Sequence, residues 1–220
     1  MSQTSTNPIL KWILIVIVGM TALGAIAVVL LSTYPASEYR AAKELQKRGF
    51  DITYGWQYDD NIWKHPVQVF GGNQSITSDD SRFFCQLPRL HALLLPRCDA
   101  SGLNLDEIGN CRNLSHFEFS DATRFPVGEL KKLTACPVSR IWIESKDVPL
   151  KDSDLEVFAK FTHLDSLVLI FNNEGVTDAC LKYFEKLPSL KILRLAESGI
   201  TREGAEEFKK KRPDVEVYYE

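Results

Sequence analysis

Four histidines (His65, His91, His116 and His163) and five cysteines (Cys85, Cys98, Cys111, Cys136 and Cys180) are the side chains here best suited to bind a metal or attack an electrophile. None of the histidines pairs at helical spacing with another ligand, and no C-x-x-C occurs. The odd cysteine count argues against a disulfide framework and a zinc site alike. His91 and Cys98 are near in sequence, and His116 and Glu118 would share one face of a strand. Either could be drawn as a catalytic pair, but no third group or pocket accompanies them. Gly71-Gly72-Asn73 lacks the lysine and the spacing of a phosphate loop, and no G-x-S-x-G is present. The expectation from these residues is a protein with no reaction, metal or cofactor of its own.

Charge narrows the partners. Lysine and arginine number 26 against 29 acidic residues, a net charge of -3. Such a chain has no bulk attraction for nucleic acid. Apolar residues are unevenly spread. Trp12 to Leu31 carries no charge over 20 residues, and a helix of that length reaches about 30 Å, the thickness of a bilayer's hydrocarbon core. Trp12 and Tyr34 suit its two interfaces. The exit Ser32-Thr33-Tyr34-Pro35-Ala36 lacks a clean small-x-small cleavage site. An uncleaved single-pass anchor over 12–33, after a tail at 1–11, is the expectation, with a cleaved signal peptide as the alternative. Arg40, Lys43, Lys47 and Arg48 after the span, diluted by Glu38 and Glu44, outnumber Lys11 and the α-amine before it and would put the C-terminal side in the cytoplasm, whereas a lone N-terminal span commonly leads an exported domain. The second argument favours a periplasmic or other extracytoplasmic placement.

The remainder repeats. Leu90, Leu93 and Leu95 are followed by Leu114, Phe117 and Phe119; then Val138, Ile141 and Ile143; then Leu164, Leu167 and Leu169; then Leu190, Leu193 and Leu195. The first positions of these five sets are 24, 24, 26 and 26 residues apart. After each run comes a polar turn and then apolar residues at spacings of three and four, as in Leu105 and Ile108, Leu155 and Phe158, Leu181 and Phe184, and Ala205 and Phe208. Thr177, Thr201 and Asp152 are placed to cap these helical segments. One strand and one helix cannot bury their shared apolar face alone, so such units must stack.

The pattern LxxLxLxx(N/C) resembles the leucine-rich repeat over about residues 65–220. Asn172 and Cys98 are family choices after the strand; Ser198, Ala122 and Lys146 depart from them. With the anchor ahead, the chain looks like short membrane-anchored leucine-rich-repeat proteins of planctomycete-type bacteria. The resemblance implies an α/β solenoid, with parallel strands on the concave face and helices on the convex face. It implies architecture and no particular activity.

Residues 36–86 would then be an N-terminal cap and partial repeat, with a helix stopped by Gly49, a strand from Phe50, another at Val67 and Val69, and a short helix capped by Thr77 and Asp80. Residues 87–220 would be the repeat domain, closed by Val215 and Val217 in a register the pattern leaves open. Asn73-Gln74-Ser75 and Asn113-Leu114-Ser115 match the glycosylation sequon, and a glycan on Asn113 would obstruct stacking.

Strand residues alternating with the apolar set should face the concave side. The central exposed column would be Leu94, Glu118, Trp142, Val168 and Arg194. One flank would be Ala92, His116, Arg140, Ser166 and Ile192, and the other Pro96, Ser120, Glu144, Ile170 and Ala196. Trp142, Val168 and Ile170 would form an apolar patch rimmed by Arg140, Glu118 and Arg194, the composition that protein interfaces favour. The functional expectation is a non-catalytic, membrane-anchored module that binds a protein through its concave face, with no small-molecule substrate. A structural or assembly component of a cell-envelope complex, without a discrete ligand, is the alternative, and an accessory subunit to a separate catalytic chain is a third.

Overall fold

A computed structural model describes residues 37–55, 65–144, 147 and 149–219. The expected membrane segment 12–33, Lys146 and the side chain of Asn172 lie outside the described residues. Among the described residues no helix is long and apolar enough to cross a membrane. The chain divides into two units, residues 1–40 and 41–220. Residues 37–40 of the first are described, and they are helical.

The second unit begins with helical residues 41–47 (α1), which bury Ala41, Ala42 and Leu45. The helix ends at Gly49, whose φ of 90° is open to glycine without a Cβ penalty. There Phe50 N donates to Leu45 O and Gly49 N to Gln46 O, satisfying carbonyls the helix leaves free. Strand β1 (Asp51–Gly55) then pairs antiparallel with β2 (His65–Phe70).

From β2 onward the sheet is parallel, and its strand order is the chain order. It continues through β3 (Ala92–Leu94), β4 (His116–Phe119), β5 (Arg140–Glu144), β6 (Ser166–Thr177), β7 (Ile192–Gly199) and β8 (Glu216–Tyr218). Leu93, Phe117, Ile141, Leu167 and Leu193 stand side by side in register. At each strand entry a backbone N–H reaches the preceding rung: Ser115 to His91, Ser139 to Ser115, Asp165 to Ser139, Lys191 to Asp165 and Glu216 to Lys191, at 2.7–2.9 Å. This is the leucine-rich-repeat-like α/β arrangement, and the C-terminal register left open by the sequence is Leu193 against Val217.

The apolar set of every repeat is buried. Leu90, Leu114, Val138, Leu164 and Leu190 are at most 1 % exposed. Behind them a second ladder comes from the outer segments: Phe84 on α2 (Ser78–Cys85), Ile108 on α3 (Leu105–Ile108), Leu133, Phe158, Phe184 on α4 (Leu181–Phe184) and Phe208 on α5 (Arg202–Lys211). Thr77 and Asp80 cap α2 reciprocally, with Asp80 N donating to Thr77 Oγ1 and Thr77 N to Asp80 Oδ2.

Two expectations are corrected. Residues Val127–Ala135 and Asp152–Lys160 are 3₁₀ rather than α-helical. Adjacent strands are about 4.8 Å apart, while an α-helix with its side chains is about 10 Å wide, so the thinner 3₁₀ turn relieves crowding on the outer side. Nor does Asp152 cap the segment it begins. Its carboxylate accepts from Thr177 N at 2.7 Å and Thr177 Oγ1 at 2.8 Å, one rung further on. Asp178 repeats the contact with Thr201 at 2.8 and 2.6 Å. Thr177 and Thr201 do cap, accepting from Ala179 N and Gly204 N.

The turn after the strand is left-handed at Asn73, Arg97, Asp121 and Glu197, with φ between 51° and 60°. Asn73, Arg97 and Asp121 are one repeat apart, so the strained conformation belongs to the repeat and not to the residue type. At the C-terminal end Arg212 occupies a place where earlier rungs carry an apolar residue. Its Nη1 donates to Glu185 O and Leu187 O, its Nη2 to Leu190 O and to Asp214, closing the carbonyls of the last full rung. Replacing Arg212 by alanine leaves those carbonyls without a donor. We expect a loss of roughly 2–4 kcal/mol in chemical denaturation, with lysine recovering only part, since one ammonium cannot span three acceptors.

Candidate functional site

Register turns the strand residues between the buried ones into columns. The central column runs Phe70, Leu94, Glu118, Trp142, Val168, Arg194 and Tyr218, each the pairing partner of the next. One flank runs Gln68, Ala92, His116, Arg140, Ser166, Ile192 and Glu216. The sequence placed the interior five members of each column; Gln68 and Phe70 at one end and Glu216 and Tyr218 at the other come from the flanking strands, whose short pattern concealed their register. The large exposed apolar side chains of the second unit, among its described residues, are Phe70, Ile192 and Tyr218 (42, 38 and 53 % exposed). All three lie in these two columns.

The same surface forms a concavity of about 660 Å³. Of the six residues expected to make a binding surface, Glu118, Arg140, Trp142, Val168 and Arg194 line it together. Ile170 does not. It is 7 % exposed, and its register partner Ala196 is equally enclosed at 6 %. Beyond this point β6 runs on to Thr177 and pairs with β7 as far as Gly199, so a longer stretch of sheet flanks the column here than the repeat pattern implied. The apolar floor is therefore Trp142 and Val168, extended by Ile192 and Tyr218.

The polar side chains are unevenly matched. Glu118 accepts from Ser120 Oγ at 3.1 Å and lies 3.7 Å from His116 Nε2, too far for a hydrogen bond. Burial lowers the pKa of His116 from its ordinary value, and Arg140 adds to that, while Glu118 opposes it. The imidazole is thus mostly neutral at pH 7, and among the described residues no third group orients it as a base. Arg140 Nε is 4.0 Å from Asp165. Tyr218 donates to Glu216 at 3.0 Å, which raises the phenol's pKa. Trp142 Nε1 is buried with no hydrogen-bond partner although its ring is only half-buried. An orphaned donor of this kind costs about 1–3 kcal/mol.

The remaining candidate chemistry does not assemble. Cys85, Cys111 and Cys136 come one per rung from the ends of the outer segments. The Cys111 thiol is pushed far up, first by its contact with Cys85 and then by burial. Burial takes Cys136 to about 11 and Cys180 to about 12, and raises Cys98. Thiols held protonated in apolar surroundings are poor nucleophiles. Among the described residues no group of three or more His, Cys, Asp or Glu stands close enough to hold a metal ion. Asn113 Nδ2 donates to Pro88 O at 2.6 Å, tying one rung to the one before.

No family model matches the chain, and no curated protein does. Among solved structures it is similar to an internalin (InlF) of Listeria monocytogenes: 16 % identity, TM-score 0.43, 62 % of this chain and 36 % of that one. It is similar to an LRR protein of Leptospira interrogans at 18 % identity and TM-score 0.40, over 61 % of this chain and 38 % of that one. It is also similar to the LRR ectodomain of the receptor kinase SOBIR1 of Arabidopsis thaliana at 11 % identity and TM-score 0.39, over 84 % and 91 %. The aligned part thus spans little more than a third of the first two.

Two measurements probe the site. Phenylalanine at Trp142 keeps the ring and removes the unmatched donor, so Trp142→Phe should leave the denaturation midpoint unchanged or slightly higher, whereas Trp142→Ala lowers it. For His116 the folded-state pKa is depressed, so protonation favours the unfolded chain. Stability is then full above the ordinary value of 6.5 and falls as pH drops through it. Wild type should lose more stability than His116→Gln between pH 7.5 and about 5.5.

Proposed function

We propose that this chain is a non-catalytic protein-binding module, anchored to a membrane through residues 12–33, that docks a macromolecular partner on the open face of its sheet. The observation that carries the reading is the placement of exposed apolar side chains. A folded domain rarely leaves a contiguous apolar patch in water without use. Here Ile192 and Tyr218 are exposed on the strand face and line one concavity with the half-buried Trp142 and Val168, and Phe70 is exposed three rungs from Trp142 in the same column. Aromatic anchors rimmed by charge are what protein interfaces select. The outer side carries ion pairs such as Lys211 with Glu185 and Lys132 with Glu129, as a solvated face does.

The fold supports this use. Strand residues can be exchanged freely on the open face while the inward set holds the rungs together. The 20-residue apolar stretch supports the anchor, and the single N-terminal position of that stretch supports an extracytoplasmic domain.

A photo-cross-linking side chain at position 168, on the open face, should trap one partner in a saturable, stoichiometric manner. The same group at position 207, on α5, should trap none. Equal yields from both positions would remove the distinction between the faces and with it the reading. No trapped partner at either position, at native abundance, would favour a purely structural role in a larger envelope complex.

A further inference from the structure

The open face has an electrostatic asymmetry that names its partner more closely. Five formal charges line the concavity: Arg140, Lys191 and Arg194 against Glu118 and Asp165. The two anions are already served, Glu118 by the Ser120 hydroxyl and Asp165 by Arg140. Lys191 and Arg194 are exposed and, among the described residues, have no anionic partner. Three cations against two anions leave the lining one net positive charge, in a chain whose net charge is -3. Lys191 and Arg194 sit at one end of the apolar floor, with Val168 and Tyr218 the register partners of Arg194 on either side, while Glu216 at that end accepts from the Tyr218 hydroxyl.

Resting on the docking reading above, we propose that the occupant is an extended acidic segment of a protein partner, with a carboxylate received by Arg194 and Lys191 and an apolar side chain seated on Trp142 and Val168. The guanidinium fork of arginine matches a carboxylate in two parallel hydrogen bonds, and the neighbouring ammonium adds a second point charge. The spacing fits. Adjacent rungs are about 4.8 Å apart, so the midpoint between Trp142 and Val168 lies one and a half rungs, about 7 Å, from Arg194. In an extended chain, residues i and i+2 point to the same side and are about 6.6–6.8 Å apart. An acidic residue with an apolar one two positions away therefore meets both features at once. Nucleic acid fits poorly: two unmatched cations cannot neutralise a phosphate backbone that must also pass Glu118 and Asp165.

The test uses the full-length protein in detergent micelles and fluorescein-labelled nonapeptides in which leucine alternates with glutamate across serines, beside matched peptides carrying glutamine or lysine for glutamate. Fluorescence anisotropy at low ionic strength should show the glutamate peptide binding at least about tenfold more tightly than the glutamine peptide, with the gap narrowing as salt screens it. Arg194→Glu should abolish that preference and shift it toward the lysine peptide. Lys191→Glu should act in the same direction, and both residues are exposed and unpaired, so neither change threatens the fold. Glutamate and glutamine peptides binding alike, binding by neither, or an Arg194→Glu protein that keeps its acidic preference overturns the proposal. Should Trp142→Ala weaken both peptides equally while no charge preference is seen, the acidic occupant is overturned and the docking face stands.

Discussion

The parallel hydrogen-bond ladder between consecutive rungs is the constraint from which everything else follows. A strand that must donate to the carbonyl of His91, Ser115, Ser139, Asp165 or Lys191 one repeat earlier can tolerate only a narrow range of repeat lengths. The same ladder fixes which side chains face inward. Once Leu93, Phe117, Ile141, Leu167 and Leu193 are held beside one another, the residues on either side of each must face the other way. The open face is thus a by-product of burying the core, and its columns are as straight as the ladder that makes them.

Much of this was written in the sequence because period and burial are both one-dimensional signals. The five apolar triplets, the register of the interior five members of the central column and the Thr77–Asp80 cap could be derived from spacing alone. What escaped detection depends on neighbours in space. Asp152 has the type and position of a helix cap, yet it serves Thr177 twenty-five residues later, a partner that spacing within one repeat cannot reveal. Arg212 breaks the apolar pattern and so looks like a surface residue, although three backbone carbonyls from the previous rung converge on it. The enclosure of Ile170 depends on how far β6 and β7 continue to pair, and the triplet is silent on that. The 3₁₀ turns share their apolar spacing with α-helices at this length, and only crowding on the outer side separates the two.

The energetic character of the open face differs from that of the core. Inside, aromatic and aliphatic side chains are fully enclosed, as with Phe158 and Phe184, whose rings are 6.4 Å apart. On the open face, an indole N–H goes without an acceptor and two cations go without anions, while tyrosine and isoleucine side chains remain in water. None of these features contributes to folding, and the first opposes it. Their concentration within a few rungs separates the face that holds the chain together from the face available for other work.

The strand order carries a mechanical corollary. Because each strand borders only its neighbours in sequence, tension applied at the C-terminus would peel β8 first, then load the Arg212 clasp that precedes it, and then shed β7, as a zipper opens. Trp142 and Val168, seated on interior strands, would stay in place through the early steps of such peeling, whereas Arg194 would leave with the second tooth. A partner gripping both regions would staple the fraying end to the middle, so that docking and resistance to force become one property of the same few side chains.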